Sequence, residues 1–152
     1  MKSTARLIEW MGIVLVSCVA AAQAVDGRDR VGQPAPDKGV KVTITYTGKG
    51  EVDASHRLWV WLFDTPDIGP GAIPIAEQSL EKNGTVATFS SVTAGKVWIA
   101  VAFDEKGGFA GSAPPPSGSP VSLYTEKGLP APMKPGPDAD VSVSFDDSQR
   151  MP

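Results

Sequence analysis

The sequence predicts an all-β domain, an antiparallel β-sandwich of about seven strands with long Pro/Gly-rich loops. Three observations predict it. Apolar residues alternate at period two in runs of five to eight or so, the spacing of strands and not of helices. Between the runs lie clusters of Gly, Pro, Asn and Asp, drawn from 16 Gly and 14 Pro in 152 residues. No stretch beyond residue 38 carries a helical period.

Each element follows from its own pattern. Val40, Val42, Ile44 and Tyr46 alternate with Lys41, Thr43, Thr45 and Thr47, which makes a half-buried strand. TGKGEVDASH turns the chain into RLWVWLF, the second strand. DTPDIGPG breaks it again. Residues 73–80 form a third strand, with Pro74 near an edge. Asn83-Gly84 is a hairpin signal, and residues 85–89 read as its return strand. KVWIAVAF is the fifth strand. The loop DEKGGFAGSAPPPSGSP follows, then a short strand at 121–124. A second breaker-rich loop, EKGLPAPMKPGPD, leads to the last strand, where Val141, Val143 and Phe145 alternate with Asp140, Ser142 and Ser144. The sandwich spans residues 39–147, and residues 148–152 read as a frayed tail. Strand number and spacing fit an immunoglobulin-like or transthyretin-like sandwich.

Two strands are apolar on both sides. Leu58, Val60 and Leu62, with Val97, Ile99 and Val101, suit the core between the sheets. That leaves Trp59, Trp61, Phe63 and Trp98 on the outer face, beside the small Ala100 and Ala102. Four aromatics exceed what a monomer ordinarily leaves bare, so a cover or a partner is expected. The cover would come from the 104–120 loop, with Phe109 and Pro114-Pro115-Pro116, and from the 125–139 loop, with Leu129, Pro130, Pro132 and Met133. Otherwise the face is an open platform for a sugar, a peptide strand or another subunit.

Residues 1–24 read as a signal peptide. Lys2 and Arg6 precede the apolar run WMGIVLVSCVAAA, and Ala22-Gln23-Ala24 is an A-x-A cleavage signal. The run is shorter than the ~20 apolar residues of a membrane span. The expected address is extracytoplasmic, periplasmic or secreted. Leu15-Val16-Ser17-Cys18 resembles a lipobox, so anchoring by lipidation of Cys18 is the alternative. Residues 25–38 read as a flexible lead-in.

Residues able to run chemistry are scarce. Cys18 is the only cysteine and His56 the only histidine. No nucleophile elbow, P-loop or dinucleotide fingerprint occurs. One histidine is too few for the common zinc sets. Glu51, Asp53, Asp104 and Glu105 fall at one end of an alternating sandwich and are the candidates for a Ca²⁺ site, but no D-x-D-x-D spacing gathers them. A formal net charge of −3 and no basic run exclude nucleic acid as an expected partner.

The segment TAGKVWIAVAFDEKGG resembles bacterial secreted transthyretin-like domains, a family close to the carboxypeptidase-regulatory-like sandwiches. Gly95 matches the turn glycine, Trp98 the aromatic, Ala100 and Ala102 the strand, and Asp104 and Glu105 the acidic pair. Phe103 stands where the family has His, and Lys106 where it has Asn. The resemblance implies the sandwich and no activity.

These observations lead to an expected function: a non-catalytic extracytoplasmic binding or accessory module using Trp59, Trp61, Phe63 and Trp98, with no cofactor. Its partner would be a carbohydrate, a peptide or an envelope protein. A structural domain of an envelope complex and a Ca²⁺-stabilised accessory domain are the alternatives.

Overall fold

The computed structural model describes residues 38–111 and 113–152. The segment expected to be a signal peptide, Cys18 within it, and all of the expected lead-in but Lys38 lie outside these residues. Nine strands follow in order: β1 (Val40–Tyr46), β2 (Leu58–Phe63), β3 (Ala76–Leu80), β4 (Val86–Phe89), β5 (Trp98–Phe103), β6 (Val121–Leu123), β7 (Thr125–Glu126), β8 (Leu129–Pro130) and β9 (Asp140–Phe145). Among the described residues no helix is long and apolar enough to cross a membrane.

The strands form a β-sandwich. One sheet has the order β4-β1-β9, the other β3-β2-β5-β6, and β7 and β8 make a small separate hairpin. All pairings are antiparallel except β1 with β9. The parallel pairing arises because the chain reaches β9 at the end where β1 begins. There Lys41 N–H donates to Ala139 O at 2.8 Å and Gly136 N–H to Gly39 O at 2.9 Å.

The core between the sheets is built by period-two alternation. Val42 and Ile44 of β1, Val60 and Leu62 of β2, Ile99 and Val101 of β5 and Val143 of β9 are all buried there. Burial of each such side chain contributes about 1.5–3 kcal/mol. The intervening residues of β1 and β9 face outward and are polar.

Four local readings need correction. The third strand starts at Ala76 and not at residue 73; Ile73 is 81% exposed. Pro74 has no N–H to give a ladder, so pairing begins after it. Asn83-Gly84 closes no hairpin within one sheet. β3 pairs with β2 and β4 with β1, so this turn carries the chain from one sheet to the other. The asparagine's side chain goes to the backbone of Tyr46 instead of the turn alone. The 125–139 loop contains the β7–β8 hairpin, whose turn residues Lys127 and Gly128 both have positive φ, 53° and 80°. Finally, residues 148–152 are not frayed. Val121 N–H donates to Gln149 O at 3.0 Å, Met151 N–H to Ser119 O at 2.9 Å, and Gly118 N–H to Met151 O at 2.9 Å. The expected tail thus lies along the segment leading into β6, with Arg150 opposite Pro120.

Candidate functional site

Every residue of β2 is buried. Alternation sends Leu58, Val60 and Leu62 into the inter-sheet core and Trp59, Trp61 and Phe63 to the other side. There a second apolar cluster forms with Ala102. Its register explains the fit. Trp59 sits opposite Ala102 and Trp61 opposite Ala100, so small side chains on β5 leave room for the indoles.

The two indoles lie nearly parallel, 6.2 Å apart at 15°. Phe109 comes down edge-on, 5.3 Å from the Trp59 ring at 73° and 6.1 Å from the Trp61 ring at 62°. Edge-to-face contacts of this kind suit the ring quadrupoles. The outer face is therefore covered over these rings: Trp59 is 7% exposed and Trp61 2%.

Backbone polar groups fix the cover. The Trp61 Nε1–H donates to Gly111 O at 2.9 Å. Gly111 has φ +100°, and a Cβ there would run into the six-membered ring of Trp59. Only glycine meets both demands. At the near end of the loop Asp104 is buried, and its Oδ2 accepts the Phe109 N–H at 2.8 Å. Its own N–H donates to Arg57 O at 2.9 Å, tying the loop to the start of β2. The Trp59 Nε1–H is buried with no partner among the described residues.

The cover stops short of the β6 side. A cleft of about 250 Å³ remains there. Its floor is Trp61, Phe63, Ala100 and Val121. One wall carries Ile68 from the turn after β2, and a second carries Pro114 and Pro115. Gln149 and Met151 close the third side. Among the described lining residues none is charged, and Gln149 supplies a hydrogen-bonding side chain, whereas the Ser122 hydroxyl donates to Leu123 O at 3.4 Å.

Sequence reasoning placed Trp59, Trp61 and Phe63 together, and the structure does the same. Trp98 departs from that group. It stands opposite Phe63 in the ladder but is only partly buried and lies outside the packed cluster and the cleft. Of the two loops expected to cover the face, only 104–120 does so. Met133 packs on the inter-sheet core and pairs with Val97, while Leu129 is 70% exposed. Ile68, Gln149 and Met151 were not foreseen. Ile68 had a signal, being the one large apolar residue in a turn of breakers; such a residue needs somewhere to bury.

Three of the four acidic candidates have separate engagements. Asp53 Oδ1 caps its own turn, accepting the N–H groups of Ser55 and His56 at 2.7 Å each. These bonds hold its carboxyl below the usual range, the His56 N–H having the larger effect. Asp104 serves Phe109. Glu105 pairs with Arg150 Nη1 at 2.6 Å. Glu51 is exposed beside an open hollow that Asp53, His56 and Glu105 also edge. Among the described residues no group of three or more His, Cys, Asp or Glu side chains is placed to hold a metal ion.

Arg150 belongs to a larger network. Its Nη2 lies 3.2 Å from Asp147 Oδ1, and its Nη1 donates to Gly118 O at 2.6 Å. Asp147 in turn meets the Tyr46 hydroxyl and accepts the Lys49 N–H at 2.8 Å. The Tyr46 hydroxyl foremost, then the Lys49 N–H, holds the Asp147 carboxyl below its ordinary range. Burial first, then the hydrogen bond to Asp147, pushes the Tyr46 phenol above its ordinary value.

No family model, no curated protein and no solved structure matches the chain.

Proposed function

We propose that this sandwich is a non-catalytic binding module, and that its site is the apolar cleft at the open edge of the aromatic cluster. One observation carries the reading: a volume of about 250 Å³ floored by Trp61, Phe63, Ala100 and Val121, with no charged side chain among its described lining residues. Dry apolar cavities of ~150 Å³ already take a benzene ring. A site of this size and lining suits an uncharged, mainly apolar ligand, with Gln149 for one polar end. A sugar platform needs a bare indole face, and Trp59 and Trp61 lend theirs to the cover. The signal-peptide pattern of residues 1–24 adds an extracytoplasmic address to the proposal, and the likeness to transthyretin-like secreted domains is in keeping with it. Mass spectrometry of the exported protein tests the address: a mature start at Val25 supports it, and an intact Met1 overturns it.

Titration with N-phenyl-1-naphthylamine, an uncharged apolar fluorophore, tests the site. We expect enhanced, saturable emission with the full chain. Ala100→Phe fills the floor of the cleft and should lower affinity about tenfold or more, the discrimination usual for pocket volume. Urea unfolding would confirm that this variant folds. No saturable emission from the wild-type chain would overturn the reading, and binding indifferent to Ala100→Phe would remove it from this cleft.

A further inference from the structure

Residues 149–151 run as an extended segment beside the lead into β6, and they alternate. Gln149 and Met151 line the cleft, while Arg150 between them turns to the other side. Three backbone hydrogen bonds hold this segment. The remaining hold comes through Arg150. Its guanidinium reaches Glu105 Oε2 at 2.6 Å, Gly118 O at 2.6 Å and Asp147 Oδ1 at 3.2 Å. So one wall of the cleft is fixed from behind, by an ion network that belongs to a different loop.

Both the wall and its anchor suit adjustment. Met151 is partly buried and belongs to neither apolar cluster. An unbranched thioether adapts its shape to what it touches, whereas the indole floor is locked. The Arg150, Glu105 and Asp147 side chains are 37%, 41% and 24% exposed, so their attraction is screened by salt.

We infer that Gln149 and Met151 form the specificity-determining wall of the cleft, and that Arg150 is the positioning residue that sets how wide the cleft stands. This rests on the binding reading above. It adds that ligand size is chosen by Met151, while the floor supplies affinity. Ionic strength would then change which ligands are admitted.

The test compares two uncharged fluorescent probes of different bulk, N-phenyl-1-naphthylamine and 1,6-diphenylhexatriene, on the full chain. Met151→Ala should raise the preference for the larger probe about tenfold, since trimming a pocket wall by several atoms changes discrimination on that scale. Arg150→Ala should shift the preference the same way, Arg150→Lys less, and 1 M NaCl should move the wild type toward Arg150→Ala. A merely structural role would weaken both probes alike and leave the ratio unmoved. If the wild type binds and neither Met151→Ala nor Arg150→Ala changes the ratio from the wild-type value, the wall assignment is overturned and the cleft survives as the site. If neither the wild type nor any variant binds either probe, the binding reading falls and this inference with it.

Discussion

The side-chain amide of Asn83 lies against the backbone of Tyr46 as a neighbouring strand would: its Oδ1 accepts the Tyr46 N–H at 2.8 Å and its Nδ2 donates to the Tyr46 O at 2.7 Å. The last residue of β1 is thereby paired past the end of β4. Asn83→Ala strips both partners from a part-buried peptide group. Leaving such groups unmet costs about 1–3 kcal/mol. Asn83→Asp keeps the acceptor and loses the donor, so it should fall between. Urea midpoints measure this, and an alanine variant as stable as the wild type would mean water replaces both bonds.

The two apolar layers make different demands on their tryptophans. Trp61 is buried in the second cluster, so Trp61→Ala should cost about 3–5 kcal/mol. Trp98 is outside it, and Trp98→Ala should cost under about 1.5 kcal/mol. Lys41→Ala, on the outward side of β1, should change almost nothing. Equal losses at Trp61 and Trp98 would contradict the division described.

Gly111 is the narrowest point of the cover. Gly111→Ala puts a methyl group into the Trp59 ring and a non-glycine residue at φ +100°. Strain and overpacking of this kind cost about 1–3 kcal/mol each. The indoles should also become more open to acrylamide quenching, because the Trp61 bond to Gly111 O is lost with the loop position. A variant with wild-type stability and quenching would show that the loop yields freely.

Stability should fall on both sides of neutral pH, through one hydrogen-bonded pair. The Asp147 carboxyl is held low by Tyr46 and Lys49, so its contribution is present above the usual carboxylate value, about 3.9, and is lost as pH falls below it. The Tyr46 phenol is held high by burial and Asp147, so its contribution is present below about pH 10 and is lost as pH rises further. Glu105 pushes Tyr46 the same way, and Arg150 opposes it. Tyr124, raised by burial and Glu126, adds to the alkaline limb. Urea midpoints across pH should therefore show a smaller alkaline fall in Tyr46→Phe and a smaller acid fall in Asp147→Asn. Profiles parallel to the wild type would exclude the pair.

The legible parts of the fold were those that period-two alternation controls. A register slip in β2 would have exchanged Val60 for Trp61 in the inter-sheet core, and only one register buries both faces well. Strand direction was not legible. β1 and β9 alternate apolar and polar residues whichever way they run, so nothing in Val141-Ser142-Val143 announces a parallel neighbour. The position of Asn83 misled for a related reason. Asn-Gly specifies a tight turn, and whether that turn stays in one sheet depends on strands far away in sequence. Within the site, composition revealed the aromatic face, and Phe109 was recognised as part of its cover. Gln149 and Met151 escaped notice because they are held by backbone bonds, which any sequence can make. Trp98 looked equivalent to Trp61 because spacing reports the face of a strand and not how far a loop reaches along it.

The parallel neighbours β1 and β9 also impose an order in time. Thr47 N–H donates to Phe145 O, across 98 residues of chain. A polypeptide emerging N-terminus first can pair β1 with β4 on one side and must leave its other side bare until Phe145 has appeared. The three-stranded sheet therefore closes last at its middle strand, and β1 keeps one row of peptide groups open to any passing strand until β9 has been made.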